Sequence, residues 1–206
     1  MIRNVVFDMG QVLITWDAET LLRKLGVAEE DHEILAREVF RSVAWVRLDR
    51  GTYTEEQTVA DILPKLPERL HWAVRELVCA WWKKHISPTP GMGDLIHELK
   101  ENGYGIYLLS NANLNLRTYF HKIPGSECFD GLLVSAEEKL LKPQHEIYER
   151  LCDRFDLKPE ECFFVDDVPA NIEGAACIGM HGAVFYKDVP RLRADLRAEG
   201  INCRAE

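Results

Sequence analysis

Asn4-Val5-Val6-Phe7-Asp8 is a short β-branched and aromatic run that closes on an acid, with Gly10 two residues further on. It is apolar without alternation, as expected of a strand covered on both faces. Comparable runs recur late in the chain. Tyr104–Leu109 ends at Ser110-Asn111, Gly131–Val134 ends at Ser135, Cys162–Val165 ends at Asp166-Asp167, and Gly182–Tyr186 closes the series. Helical spacing lies between them. Leu95, Ile96 and Leu99 share a face between Met92 and Glu101; Ile147, Tyr148 and Leu151 do so between Pro143 and Phe155; Ile172, Ala175 and Ala176 do so between Pro169 and Ile178. Strand and helix alternating from residue 90 onward predict an α/β fold, a Rossmann-like doubly wound parallel sheet.

Residues 18–88 break that rhythm with about four helical patterns and no convincing strand. Leu21, Leu22 and Leu25 form one stripe, Ile34, Leu35, Glu38 and Val39 another, and Val74, Leu77, Val78 and Trp81 a third. Thr54 reads as an N-cap after the turn at Gly51. The expected division is a core of residues 1–17 and 89–206 and an inserted all-helical unit of residues 18–88.

Composition narrows the function. The 206 residues carry 34 acidic and 25 basic side chains, a net charge of −9, which disfavours binding to nucleic acid or to anionic membrane surfaces. No apolar run approaches the ~18 residues of a membrane span. Met1–Asp8 turns acidic too soon for a secretory signal, so a cytoplasmic location is expected. The six cysteines, at 79, 128, 152, 162, 177 and 203, form no C-x-x-C pair, so zinc is not expected. They read as reduced, mostly buried thiols.

In an open parallel sheet, ligands bind beyond the carboxyl ends of the strands. Asp8, Ser110, Asn111, Asp166 and Asp167 stand there, and a later segment delivers Lys142. Singly, Ser110 and Asn111 read as helix caps, and Lys142 as a solvated residue before a Pro143 that opens a helix. Together they read differently. Carboxylates suit Mg²⁺, and their repulsion is relieved by it. A hydroxyl, an amide and an ammonium suit a phosphate. A carboxylate beside such a phosphate can act as a nucleophile. There is no Walker A sequence and no G-x-G-x-x-G; Gly91-Met92-Gly93 and Gly103-Tyr104-Gly105 are too short to count.

Four stretches then fall in order: Val5-Val6-Phe7-Asp8-Met9-Gly10-Gln11-Val12-Leu13, Leu108-Leu109-Ser110-Asn111, Lys142-Pro143, and Phe164-Val165-Asp166-Asp167-Val168-Pro169-Ala170-Asn171-Ile172-Glu173-Gly174-Ala175. This set resembles the haloacid dehalogenase-like hydrolases, and the opening looks most like the branch containing α-glucose-1-phosphate phosphatase. The inserted helices resemble that family's cap. The resemblance implies Asp8 as nucleophile and Mg²⁺ ligand, Ser110 and Asn111 as phosphoryl contacts, and Lys142 as the neutralising cation. It implies Asp167 as a further metal ligand assisted by Asp166, a metal-ligating carbonyl at Gly10, and a bracing role for Asn171, which otherwise reads as a first-turn helix residue.

The chain departs from the family pattern at Gly10, where phosphatases of this superfamily carry a second Asp. A missing general acid or base costs ~10²–10⁴ in rate. An amide such as Gln11 does not replace it, and Asp17 reads as a helix cap. The expectation is therefore a preference for good leaving groups, such as sugar 1-phosphates, acyl phosphates or aryl phosphates, and not a mutase. Among helical-unit residues, Arg41 and Trp45 are candidate substrate contacts; the stronger reading has Phe40 and Trp45 packing the helices and Arg41, Arg47 and Arg50 solvated. Trp72, Trp81 and Trp82 read as core or surface.

The combined expectation is a Mg²⁺-dependent phosphomonoesterase acting on a small phosphorylated metabolite, a sugar phosphate first, through an aspartyl-phosphate. The alternatives are a non-catalytic phosphate- or partner-binding relative and a 2-haloacid dehalogenase. The oligomeric state is left open.

Overall fold

The structure, a computed structural model, describes residues 1–80 and 87–205. Trp81 and Trp82 lie outside the described residues. Five parallel strands form the central sheet: β1 (Asn4–Phe7), β4 (Gly105–Ser110), β5 (Gly131–Val134), β6 (Cys162–Asp166) and β7 (His181–Val184). Their order is β5-β4-β1-β6-β7, with Val5 paired to Ile106 on one side and Phe163 on the other. The chain thus leaves β1 in opposite directions, which opens a crevice at the carboxyl ends of β1, β4 and β6.

Alternate strand residues face opposite layers. Val5, Phe7, Ile106, Leu108, Phe163 and Val165 pack with Leu95, Ile96 and Leu99 of the helix Met92–Glu101 and Leu192 and Leu196 of Val189–Ala198. Val6, Leu109, Leu133 and Phe164 pack with Ile147, Tyr148 and Leu151 of His145–Phe155 and Ala175 of Pro169–Ala176. This is a Rossmann-like α/β fold wound on both faces.

The second layer of structure has an apolar core of its own, in which Leu22, Leu35, Ile62, Val74 and Leu77 are fully or almost fully buried. Its helices are Ala18–Lys24, His32–Leu35, Val43–Asp49, Glu55–Ile62 and His71–Cys79, with a π-helical stretch at Ala36–Phe40. Asp17 caps the first through Thr20 N–H, 2.7 Å, and Thr54 caps the fourth in a reciprocal box with Gln57.

Three expectations need correction. The stretch 18–88 is not wholly helical, because β3 (Ser87–Pro88) pairs antiparallel with β2 (Ile14–Thr15) and joins the two chain crossings at the sheet. Pro143 does not open a helix: the helix starts at His145, and Pro143 follows a cis peptide bond. The thiols are all free but not mostly buried, since Cys152, Cys162 and Cys203 are buried, Cys79 and Cys128 half-buried, and Cys177 exposed. Among the described residues, no helix is long and apolar enough to cross a membrane.

Candidate active site

Asp8 leaves the sheet one residue past β1, anchored by its N–H to the Val165 carbonyl at 2.9 Å. Asp166 ends β6, and Ser110 ends β4. Lys142 reaches between them from the loop before His145. Its Nζ lies 2.8 Å from Asp8 Oδ1 and 2.6 Å from Asp166 Oδ2, and it donates to the Leu109 carbonyl at 3.1 Å. The ammonium hydrogen-bonds to Asp166 and the Leu109 carbonyl and forms an ion pair with Asp8, whose buried Oδ1 has no hydrogen-bond partner among the described residues. All three charged groups are buried.

Electrostatics follow from that burial. Burial pushes the Asp8 carboxyl up to about 6; Lys142 pulls it down and Asp166 adds to the rise. Burial also raises Asp167, with the charge of Asp166 next. Burial works against the Lys142 ammonium, but Asp8 and Asp166 outweigh it and its pKa is raised. Carboxylate oxygens of Asp8, Asp166 and Asp167 lie within 4.8 Å of one another. One buried ammonium does not balance three carboxylates, and an oxygen-rich cluster of this kind fits a hard divalent cation.

The neighbouring amides are braces. Asn171 Nδ2 donates to both oxygens of Asp166 at 3.0 Å, and the Val168 N–H donates to one at 2.8 Å. Asn111 does not cap a helix: its side chain accepts from Lys142 N–H at 2.8 Å and donates to the Lys142 carbonyl at 3.0 Å. The carboxamide thereby fixes the Lys142 backbone, while Asn111 itself lines a cavity beside Met9 and Gly10.

Next to Asp8 in the chain, Met9 and Gly10 border this small cavity of about 80 Å³, walled also by Ser110, Asn113, Trp16, Trp45, Asp49 and Tyr119. It is below the ~300 Å³ of an ordinary small-molecule pocket. Gly10 borders it, has no positive φ, and a Cβ built there meets only Trp16 Nε1 at 3.7 Å. Neither conformation nor space requires a glycine at this position. Gln11, at φ 59°, donates its side-chain amide to the Trp16 carbonyl.

Trp45 is in the wall, as expected, and packs edge-on against Phe40 at 5.1 Å between centroids. Arg41 is not. Its guanidinium is exposed and paired with both oxygens of Glu33 at 3.0 Å. Phe40, the last residue of the π-helical stretch, packs between Trp16 and Trp45, at 5.3 and 5.1 Å between centroids. Trp72 is half exposed.

The sequence reading missed Asp49, Tyr119 and Ser135. Asp49 carried a sign: it is an acid at the carboxyl end of a helix, where the dipole favours a cation. Ser135 carried only its place after β5.

The haloacid dehalogenase-like hydrolase profile matches residues 2–179. A sesquiterpene phosphatase, astK, of Aspergillus oryzae is 28% identical over 190 residues, covering 87% of this chain and 88% of that protein. (S)-2-haloacid dehalogenase 1 of a Pseudomonas species is 27% identical, covering 87% and 82%. A family enzyme of Bacteroides thetaiotaomicron, solved with magnesium and inorganic phosphate, superposes with a TM-score of 0.69 at 22% identity, covering 89% of this chain and 94% of that one. The chain belongs to the haloacid dehalogenase-like hydrolases, and it has their fold.

Proposed function

We propose that this haloacid dehalogenase-like hydrolase is a Mg²⁺-dependent phosphomonoesterase for a small phosphate ester of a neutral alcohol, with a sugar phosphate the first to test. The observation that carries the reading is the Asp8–Lys142–Asp166 cluster with Asp167 beside it. A phosphatase relative and a family structure holding magnesium and phosphate support it. The helices between residues 18 and 88 act as a cap over the crevice, with residues 1–17 and 89–206 as the catalytic core.

Asp8 attacks phosphorus in line, and Ser110 and Lys142 hold the phosphoryl oxygens. Asp8, Asp167 and the Gly10 carbonyl are the ligands for Mg²⁺, which when bound supplies positive charge against the phosphoryl oxygens. Asp166, held by Asn171 and Lys142, positions both neighbours. The aspartyl-phosphate is then hydrolysed by water. A cavity of about 80 Å³ admits a phosphoryl group and little more, so a larger substrate enters by movement of the cap.

A 2-haloacid is disfavoured by the acids: carboxylate oxygens of Asp8, Asp166 and Asp167 lie within 4.8 Å of one another and fit a divalent cation, which dehalogenation by the same nucleophile does not need. The test is phosphate release over a panel of sugar, nucleotide, acyl and aryl phosphates, with 2-chloropropionate alongside. Release from the phosphates that needs Mg²⁺ and disappears in Asp8→Asn is expected. Chloride release without phosphate release overturns the reading.

A further inference from the structure

Breaking a P–O ester bond leaves an oxygen that must take a proton, and the later attack of water must lose one. Lys142 is locked between two carboxylates, Asp8 is the attacking group, and position 10 has no side chain. Among the described residues that line the cavity, the one carboxyl is that of Asp49, the last residue of the helix Val43–Asp49.

That residue is held in place more firmly than a solvated helix end requires. Ser42 caps the helix start through Trp45 N–H at 3.0 Å. At the other end, the Asp49 carbonyl accepts from Ser135 Oγ at 2.5 Å. The same buried hydroxyl accepts from the Ala112 N–H at 2.9 Å, so one oxygen joins Asp49 to the segment that follows Ser110. Two residues on, Gly51 has φ +73° and lies so close to the short helix after β5 that a Cβ would stand 2.1 Å from the Ala136 carbonyl oxygen. The helix end is thus fixed to two strand ends of the core. Asp49 keeps part of its surface open, and it faces Asp8 from the sheet, Tyr119 from the helix Leu116–Tyr119 and the Trp45 side chain from its own helix. An acid facing another acid at the negative end of a helix weakens the fold, which is the pattern of a residue placed for chemistry.

We propose that Asp49 is the general acid and base of this site, acting from the helical layer where Gly10 cannot. This rests on the phosphatase reading above. In the first step the Asp8 carboxylate forms a bond to phosphorus and the P–O ester bond breaks. The electron pair goes to the ester oxygen, which takes the Asp49 proton and leaves as the alcohol. In the second step water attacks phosphorus and gives its proton to the Asp49 carboxylate. The P–O bond to Asp8 breaks, both carboxyls return to their first states, and phosphate is released. Burial pushes the Asp49 carboxyl up to about 8, against a hydrogen bond from Trp45 that lowers it and with the charge of Asp8 adding to the rise. With Asp49 in this role, the restriction to good leaving groups expected from Gly10 is lifted.

The test is the first turnover, with enzyme in excess and Mg²⁺ present, of a hexose 6-phosphate and of 4-nitrophenyl phosphate. The nitrophenolate leaves without a proton and the sugar alkoxide does not. Asp49→Asn is expected to lower the hexose-to-nitrophenyl rate ratio by about 10²-fold or more, and Asp49→Glu to restore part of it. The ratio is taken on one preparation, so any misfolded fraction cancels. A ratio within about threefold of wild type overturns the role of Asp49 and leaves the phosphatase reading standing. If instead Asp8→Asn turns both esters over as wild type does, the reading itself falls, and the role of Asp49 with it.

Discussion

Lys142 Nζ lies 2.6 Å from Asp166 Oδ2, and both side chains are shielded from solvent. The same ammonium reaches Asp8 at 2.8 Å, so a single cation organises the crevice. Removing one partner of a buried ion pair leaves charge uncompensated and typically costs about 3–5 kcal/mol. Lys142→Met is expected to lose that order of stability in urea unfolding without Mg²⁺, and to lose phosphate release. A variant as stable as wild type would mean that Asp8 and Asp166 do not depend on Lys142 for their charge.

Asn171 braces both Asp166 oxygens at 3.0 Å without reaching the reacting centre. Loss of such an outer partner costs about 10–100-fold in metal affinity or activity. Asn171→Ala is expected to weaken Mg²⁺ binding by that factor in calorimetry. Unchanged affinity would remove Asn171 from the positioning of the acidic loop.

Gly51 and Gly26 both have positive φ, at 73° and 77°, but only Gly51 is pressed against another chain segment. Alanine at a left-handed position costs about 1–2 kcal/mol. Gly26→Ala is expected to cost that much in urea unfolding, while Gly51→Ala costs more, because its Cβ meets the Ala136 carbonyl. Equal costs would show that the contact of the helical layer with the core yields easily.

The half-buried Asp49 also sets a pH dependence. Its folded pKa is raised to about 8 from an ordinary value of 3.8. Between about pH 4 and pH 8 the folded chain keeps a proton that the unfolded chain has lost, so this group's contribution to stability falls as pH rises through that window. Asn does not titrate. Asp49→Asn is therefore expected to gain stability relative to wild type between pH 5 and pH 8, read as the difference in urea midpoints. A difference that does not grow with pH would mean the carboxyl is already ionised at pH 5.

The sheet was legible because strands buried on both faces are continuous apolar runs, and each of Asn4–Phe7, Gly131–Val134 and Cys162–Val165 is one. Asp8, Ser110, Asp166 and Asp167 were legible with it, since strand ends place their residues without further folding information. Residues placed by the packing of one layer on the other were not. Arg41 and Trp45 lie four apart but do not share a helix: the π-helical stretch ends at Phe40 and a new helix opens after Ser42, so helical spacing does not relate their directions. Ser135 meets Asp49 across 86 residues of sequence, a contact that no local pattern encodes. Asn111 looked like a cap because its residue type favours one; its partner, the Lys142 backbone, comes from a loop 31 residues away.

The most direct measurement is to quench the turning-over enzyme in acid with Mg²⁺ present and locate phosphoryl groups by mass spectrometry of its peptides. A phosphoryl group on the peptide containing Asp8, absent in Asp8→Asn and absent when Mg²⁺ is chelated, is the predicted result. Steady release of phosphate with no modification of Asp8, or equal release from Asp8→Asn, would contradict the account.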